Sequence, residues 1–124
     1  MRELIIPGAP VSCPRPRVTK YGTFYPPKYK AWKKKATALL QDFGEVEELE
    51  VVFIFPRPKR LKEGARELHQ KKPDIDNCLK AVMDSLPHDD KLIHTIISRK
   101  RIAASYEEPH IQIRAYDKND SIPF

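Results

Sequence analysis

Residues 49–55, Leu49-Glu50-Val51-Val52-Phe53-Ile54-Phe55, form a nearly continuous apolar run that Pro56 closes. Rich in β-branched and aromatic side chains, the run reads as a strand buried on both faces. Upstream of it, after Pro26-Pro27, apolar residues recur at steps of three and four: Tyr29, Trp32, Ala36, Leu39, Leu40 and Phe43. That period is an amphipathic helix with Gly44 as its stop, and Lys30, Lys33, Lys34 and Lys35 occupy the opposite face. Downstream, Pro73 precedes a second helical period, in which Ile75, Leu79, Val82, Met83 and Leu86 turn toward the core before Pro87 ends it.

Leu4, Ile5 and Ile6 make a first short strand, closed by Pro7-Gly8-Ala9-Pro10. Residues 92–97 and 111–116 read as two late strands, expected to pair as a hairpin across the segment between them. The resulting order, β-α-β-α-β-β, predicts an α+β single domain with one mixed sheet and two main helices. Residues 117–124 read as a polar tail. At 124 residues there is room for one core and not for two.

Charged residues make up 32% of the chain and Lys plus Arg exceed Asp plus Glu by 23 to 17, a formal net charge of +6. A basic balance of this kind favours a polyanionic partner. The excess is concentrated. Residues 14–35 hold eight Lys or Arg and no Asp or Glu, and residues 57–72 hold Arg57, Lys59, Arg60, Lys62, Arg66, Lys71 and Lys72 against Glu63 and Glu67. Residues 14–25, with Pro14-Arg15-Pro16-Arg17 and Tyr21-Gly22-Thr23-Phe24-Tyr25, cannot sustain a helix and read as a long basic loop or irregular hairpin.

Two cysteines, Cys13 and Cys78, do not make a disulfide framework, and Cys78 falls in an apolar helical pattern as a buried free thiol. His69, His88, His94 and His110 lack zinc-ligand spacing. Arg2, Glu3 and two prolines interrupt the amino-terminal apolar stretch before a signal-peptide core forms, and no segment has the ~18 apolar residues that span a bilayer. A reduced, cytoplasmic setting is the expectation.

The densest group of candidate ligands is Asp74-Ile75-Asp76-Asn77, followed by Lys80, Asp84 and Asp89-Asp90. Mg²⁺ takes hard oxygen ligands and is held by one or two carboxylates together with substrate phosphates, a need that Asp74, Asp76 and an aspartate of the 89–90 pair meet. Asp74 and Asp76 converge only if Asp74 belongs to the entry turn of the helix rather than to its body. The same residues also fit a plain structural role: Asp74 as an N-cap, Asp76 and Lys80 as an i,i+4 ion pair, and Asp89-Asp90 as a solvated turn.

The stretch from Lys72 through Pro73-Asp74-Ile75-Asp76-Asn77-Cys78-Leu79-Lys80 to Leu86, with Asp89-Asp90 after it, closely resembles the signature of RusA-type Holliday-junction resolvases (crossover junction endodeoxyribonucleases). These are bacterial proteins, often carried by prophages. The resemblance extends to the Pro-Arg-Pro-Arg-Val-Thr segment, to Gly22-Thr23-Phe24-Tyr25 and to Tyr29 with Trp32, over roughly residues 4–115.

By position the resemblance implies Asp74, Asp76, Lys80 and Asp90 as catalytic residues, the three aspartates holding Mg²⁺ or Mn²⁺. The segment between Leu86 and Asp89 is shorter than is usual in that family, so Asp89 stays open as the third carboxylate. The resemblance further implies a homodimer that resolves four-way DNA junctions by paired symmetric nicks in recombination and repair. Two symmetric cuts need two sites, which a twofold dimer supplies. Arg15, Arg17, Lys20, Lys33, Lys34 and Lys72 are the candidate phosphate contacts. Tyr29 and Trp32 read as core by their helical period, and Phe24 and Tyr25 as candidates to stack on bases near the crossover. A non-catalytic nucleic-acid-binding module and a nuclease for other branched DNA are the competing readings.

Overall fold

The computed structural model of the chain describes residues 1–15, 17–62 and 68–123. Pro16 of the first basic segment and Glu63, Arg66 and Glu67 of the second lie outside the described residues, as do the side chains of Arg17 and Asp90.

The long apolar run is a strand, β4 (Glu48–Phe55), and it lies inside the sheet. On one side it pairs antiparallel with β6 (His110–Tyr116), which pairs antiparallel with β1 (Arg2–Pro7); on the other it pairs parallel with β5 (Thr95–Ile102). The order β1-β6-β4-β5 is a mixed sheet. Alternate residues of β4, namely Leu49, Val51, Phe53 and Phe55, join Ile111, Ile113 and Ala115 in the core. Ala36 and Leu40 of α1 (Pro27–Leu40) and Cys78 and Val82 of α2 (Ile75–Met83) close over them. Glu50 and Val52 on the other face are only half-buried, so β4 is not covered equally on its two faces as its composition predicts.

Each helix is bounded by the residues that physical chemistry asks for. Pro27 opens α1, where its missing N–H costs nothing. A short 3₁₀ turn, Gln41–Phe43, prolongs α1 until Gly44 at φ 65° ends it. In α2 the buried face is Cys78, Ala81 and Val82, and the free thiol of Cys78 is buried as predicted. Ile75, expected to face the core, is 37% exposed, because it sits in the open first turn before the helix reaches the sheet.

The late hairpin is absent among the described residues. β5 runs to Ile102, well beyond residue 97, and pairs with β4 over eight residues from Glu48↔Thr95 to Phe55↔Ile102. A parallel pair needs a crossover, and α2 supplies it. Residues 103–109 then carry the chain past the end of β4, held by the Ala103 N–H donating to the Phe55 carbonyl at 2.8 Å and by Arg101 paired with Glu107 at 2.6 Å. Residues 17–24 form a separate two-stranded hairpin, β2 (Arg17–Thr19) with β3 (Gly22–Phe24). No helix among the described residues is long and apolar enough to cross a membrane.

Candidate active site

The entry to α2 carries the first two candidate ligands. Asp74 is the N-cap residue, with extended backbone angles of φ −69° and ψ 149°, so it stands outside the helical spiral while Asp76 sits in the first turn. The 200° separation that two helical positions would impose therefore does not apply. Asp74 makes no side-chain capping hydrogen bond, so the plain capping role leaves its carboxylate unused. Both carboxylates are exposed.

Asp74 and Asn77 line a cleft of about 520 Å³ with Lys72, Pro73 and the segment Pro10, Val11 and Ser12. The two walls are tied together where the Cys13 N–H donates to the Asn77 carbonyl at 2.9 Å. On the buried face of α2, next in sequence to Asn77, is the Cys78 thiol, pushed up to about 11 by burial. The Lys100 ammonium pulls it down, and the Asp74 and Asp76 carboxylates push it further up. Both carboxylates and one cation thus act on the same buried atom.

Lys80 lies on α2 but does not bridge to Asp76. Its ammonium donates to Asp84 Oδ2 at 2.8 Å, one turn further on, and this hydrogen bond raises the Lys80 pKa. The predicted Asp76–Lys80 pair is thus replaced by Lys80–Asp84. Asp89 and Asp90 lie elsewhere. Asp89 shares a small pocket with Gly44, Val46 and Leu86, its carboxylate is 3.6 Å from the Lys91 ammonium, and Asp90 opens a 3₁₀ turn that ends at Leu92. The His94 N–H donates to the Glu47 carbonyl, so this segment sits where β4 begins. Asp74 sits near the far end of β5, at Lys100, whose Nζ is 2.9 Å from the Pro73 carbonyl. Nine residues of helix, about 13 Å at 1.5 Å per residue, separate the two ends of α2.

Asp74 and Asp76 fit a hard divalent cation held mainly by water and phosphate oxygens, the habit of Mg²⁺. Among the described residues no third His, Cys, Asp or Glu joins them.

The basic candidates are not gathered in one place. Lys72 is exposed on the rim of the cleft. Arg15 is exposed in the segment that leads from the cleft into the β2–β3 hairpin, and Lys20 lies in the hairpin turn, 5.2 Å from the Tyr21 ring centroid. Val18, Tyr21 and Phe24 are all exposed there, an apolar and aromatic ribbon among cations. Tyr29 is buried, its phenol pushed up by that burial, and stacks on the half-buried Trp32. Tyr25 packs on Tyr29 at 5.4 Å, whereas Phe24 remains open to solvent. Lys33 is half-buried and Lys34 exposed, and both line a groove with Tyr25 and Tyr29.

Two features escape a reading of the sequence. Lys100 binds the carbonyls of Lys71 and Pro73, and His69 stacks on Phe55 at 3.9 Å with its pKa lowered by burial and by Lys100. The only signal for Lys100 was its place in a strand, and the flanking arginines disguised the strand.

No curated protein matches the chain. The family model described as Endodeoxyribonuclease RusA matches residues 7–116, a span that takes in the cleft, both helices and the whole sheet except β1, of which it includes only Pro7, and the chain belongs to that family.

Proposed function

We propose that this chain is a divalent-metal-dependent endonuclease that resolves four-way DNA junctions by paired symmetric nicks, acting in recombination and repair as a homodimer. The observation that carries the reading is Asp74: a carboxylate at a helix N-cap that caps nothing, in a cleft whose other wall leads into a basic, aromatic hairpin. A helix N-terminus also favours the phosphate that must be cut.

Asp74 and Asp76 hold the cation, Mg²⁺ or Mn²⁺. When bound, the cation supplies Lewis acidity toward water and the scissile phosphate. Lys72 at the rim draws the backbone in, and Arg15, Arg17, Lys20, Lys33 and Lys34 take phosphates of the arms. Lys80 contributes positive charge near the developing oxyanion once it leaves Asp84. Phe24, with Tyr21, is the surface on which unpaired bases stack at the crossover.

The segment that offers the third carboxylate, Asp89-Asp90, follows the other end of α2 within one protomer. On this reading a second copy of the chain brings that segment to the cation beside Asp74. The dimer then has two uses: it provides two cuts and it completes each site.

The test is a labelled synthetic four-way junction incubated with the protein in Mg²⁺, Mn²⁺ or EDTA, beside flap and fork substrates, with cuts mapped on all four strands. Paired cuts at symmetric positions in metal alone support the reading. Binding without cutting in either metal would leave a non-catalytic binding module, and cutting confined to flaps or forks would replace the substrate.

A further inference from the structure

We infer that Lys100 is a positioning residue for the proposed nuclease site: its ammonium holds the backbone turn that delivers Asp74 to the cleft. The inference rests on the reading of Asp74 as a cation ligand.

Lys100 lies on β5 in register with Phe53, on the face that meets the helices, and Phe53 is fully buried. A lysine on such a face must bring its ammonium to water or to acceptors, since an unpaired buried charge is costly. The side chain reaches across to the loop before α2, where Nζ donates to the Lys71 carbonyl at 2.8 Å and to the Pro73 carbonyl at 2.9 Å. Charge-assisted bonds of this length belong to the strong class.

The two acceptors flank Lys72, so one cation gathers the turn 71–73 into a fixed shape. The Pro73 carbonyl also belongs to the planar peptide unit that ends at the Asp74 Cα. Fixing that oxygen fixes the direction in which Asp74 leaves the turn. Asp74 makes no capping bond of its own, so its side chain does not hold the turn. His69 is stacked on Phe55 beside Lys100, and the cation itself helps keep that imidazole neutral, which avoids a second charge next to the ammonium.

The role is distinct from DNA contact and from ligation. Two of the three ammonium hydrogens are committed to carbonyls, and a lysine cannot bind a cation while protonated. The ammonium also lies close enough to Cys78 to oppose the effect of Asp74 and Asp76 on that thiol.

The experiment uses the full chain. Lys100→Met is compared with wild type for Mn²⁺ binding by free-protein EPR titration, for junction binding in EDTA, for the Mg²⁺ dependence of junction cutting, and by thermal melt. Outer-shell partners of metal ligands typically change metal affinity or activity by about 10- to 100-fold, and a loss of Mn²⁺ affinity in that range is expected here. Junction binding in EDTA should stay within about twofold, because the carboxylates and the basic hairpin are untouched. Lys100→Arg, which keeps the charge and the donors, should recover part of the loss.

If Lys100→Met does not fold, Lys100→Gln, which keeps one amide donor for a carbonyl, takes its place. Loss of fold in both variants, or wild-type Mn²⁺ affinity in a folded variant, overturns the inference. Asp74→Asn is run alongside. Near-normal cutting by Asp74→Asn would sink the site reading and this inference together, whereas an inactive Asp74→Asn beside an unaffected Lys100→Met would sink the inference alone.

Discussion

Asp76→Asn separates chemistry from folding, because the structure gives Asp76 so little structural work. It is exposed in the first turn of α2, and among the described residues no hydrogen bond or ion pair is made by its carboxylate. The remaining contribution is its charge near the helix N-terminus, about 0.3–1 kcal/mol. In a chain of this size that corresponds to a drop in Tm of at most about 5 °C, and the folded fraction at assay temperature is hardly altered. Asparagine keeps the outline of the side chain but is a poor ligand for Mg²⁺. Cutting should therefore fall by at least ~10²-fold, which is about 2.7 kcal/mol of transition-state stabilisation and well above the folding term. Removing a negative charge from the DNA-facing side should leave junction affinity in EDTA intact or raise it. The measurements are single-turnover cleavage of a four-way junction, a gel shift in EDTA and a melt. Near-normal cutting, or a loss of cutting matched by a collapse in Tm, would refute the reasoning.

Arg15→Ala with Arg17→Ala should lower the salt slope of junction binding by about 0.9 per lost phosphate contact, and an unchanged slope would remove the hairpin from the interface. Mixed dimers of Asp74→Asn and Asp90→Asn protomers should nick the junction although neither variant alone does, since one composite site stays whole; an inactive mixture would place all ligands within one protomer. Arg101 first, and then the Ala104 N–H, hold the Glu107 carboxyl at about 2, below its ordinary 4.5. The increment, at most about 3 kcal/mol by linkage and less once solvent screening is discounted, is present above pH 4.5 and is lost as pH falls toward 2, so the wild-type Tm should drop more steeply across that window than that of Glu107→Gln.

What was legible in the sequence depended on how local its cause is. β4, α1 and α2 follow from short-range periodicity, and each was readable because the apolar residues that make it also bury it. β5 was not. Ser98, Arg99, Lys100 and Arg101 look like the end of a strand, yet this is an edge strand whose charges find water, Glu107 or the loop before α2. Its pairing with β4, more than forty residues earlier, in place of the nearby β6 is a long-range choice, and no local pattern encodes that. The same holds for the site. Asp74 and Asp76 were legible because only Ile75 separates them, and the N-cap geometry that brings Asp74 out of the helix is itself local. The 89–90 pair looked adjacent because the intervening chain is short, but a rigid helix spends that length along its axis. Lys100 was hidden because its function depends on two carbonyls nearly thirty residues earlier.

Asp84 bears on how Lys80 acts. Asp84 is the C-cap residue of α2, where a negative charge opposes the helix dipole, and its pair with Lys80 is an exposed i,i+4 contact. Pairs of that kind contribute at most about 0.5 kcal/mol, and losing the unfavourable cap charge offsets part of it, so Asp84→Asn should leave the melt nearly unchanged. The chemical consequence is larger. In the free protein Asp84 draws the Lys80 ammonium toward the C-terminal end of α2, one turn away from the side that faces Asp76. To meet a phosphate beside a cation held by Asp74 and Asp76, Lys80 would leave that partner. Removing the Asp84 charge releases it, so Asp84→Asn should cut the junction at the wild-type rate or up to about threefold faster, while Lys80→Ala, which has no cation to release, should lose at least tenfold. The assay is single-turnover cleavage at saturating protein and metal, with both variants checked for junction binding in EDTA. If Asp84→Asn is instead as slow as Lys80→Ala, the ion pair itself is the working unit, and Lys80 acts from the position in which Asp84 holds it.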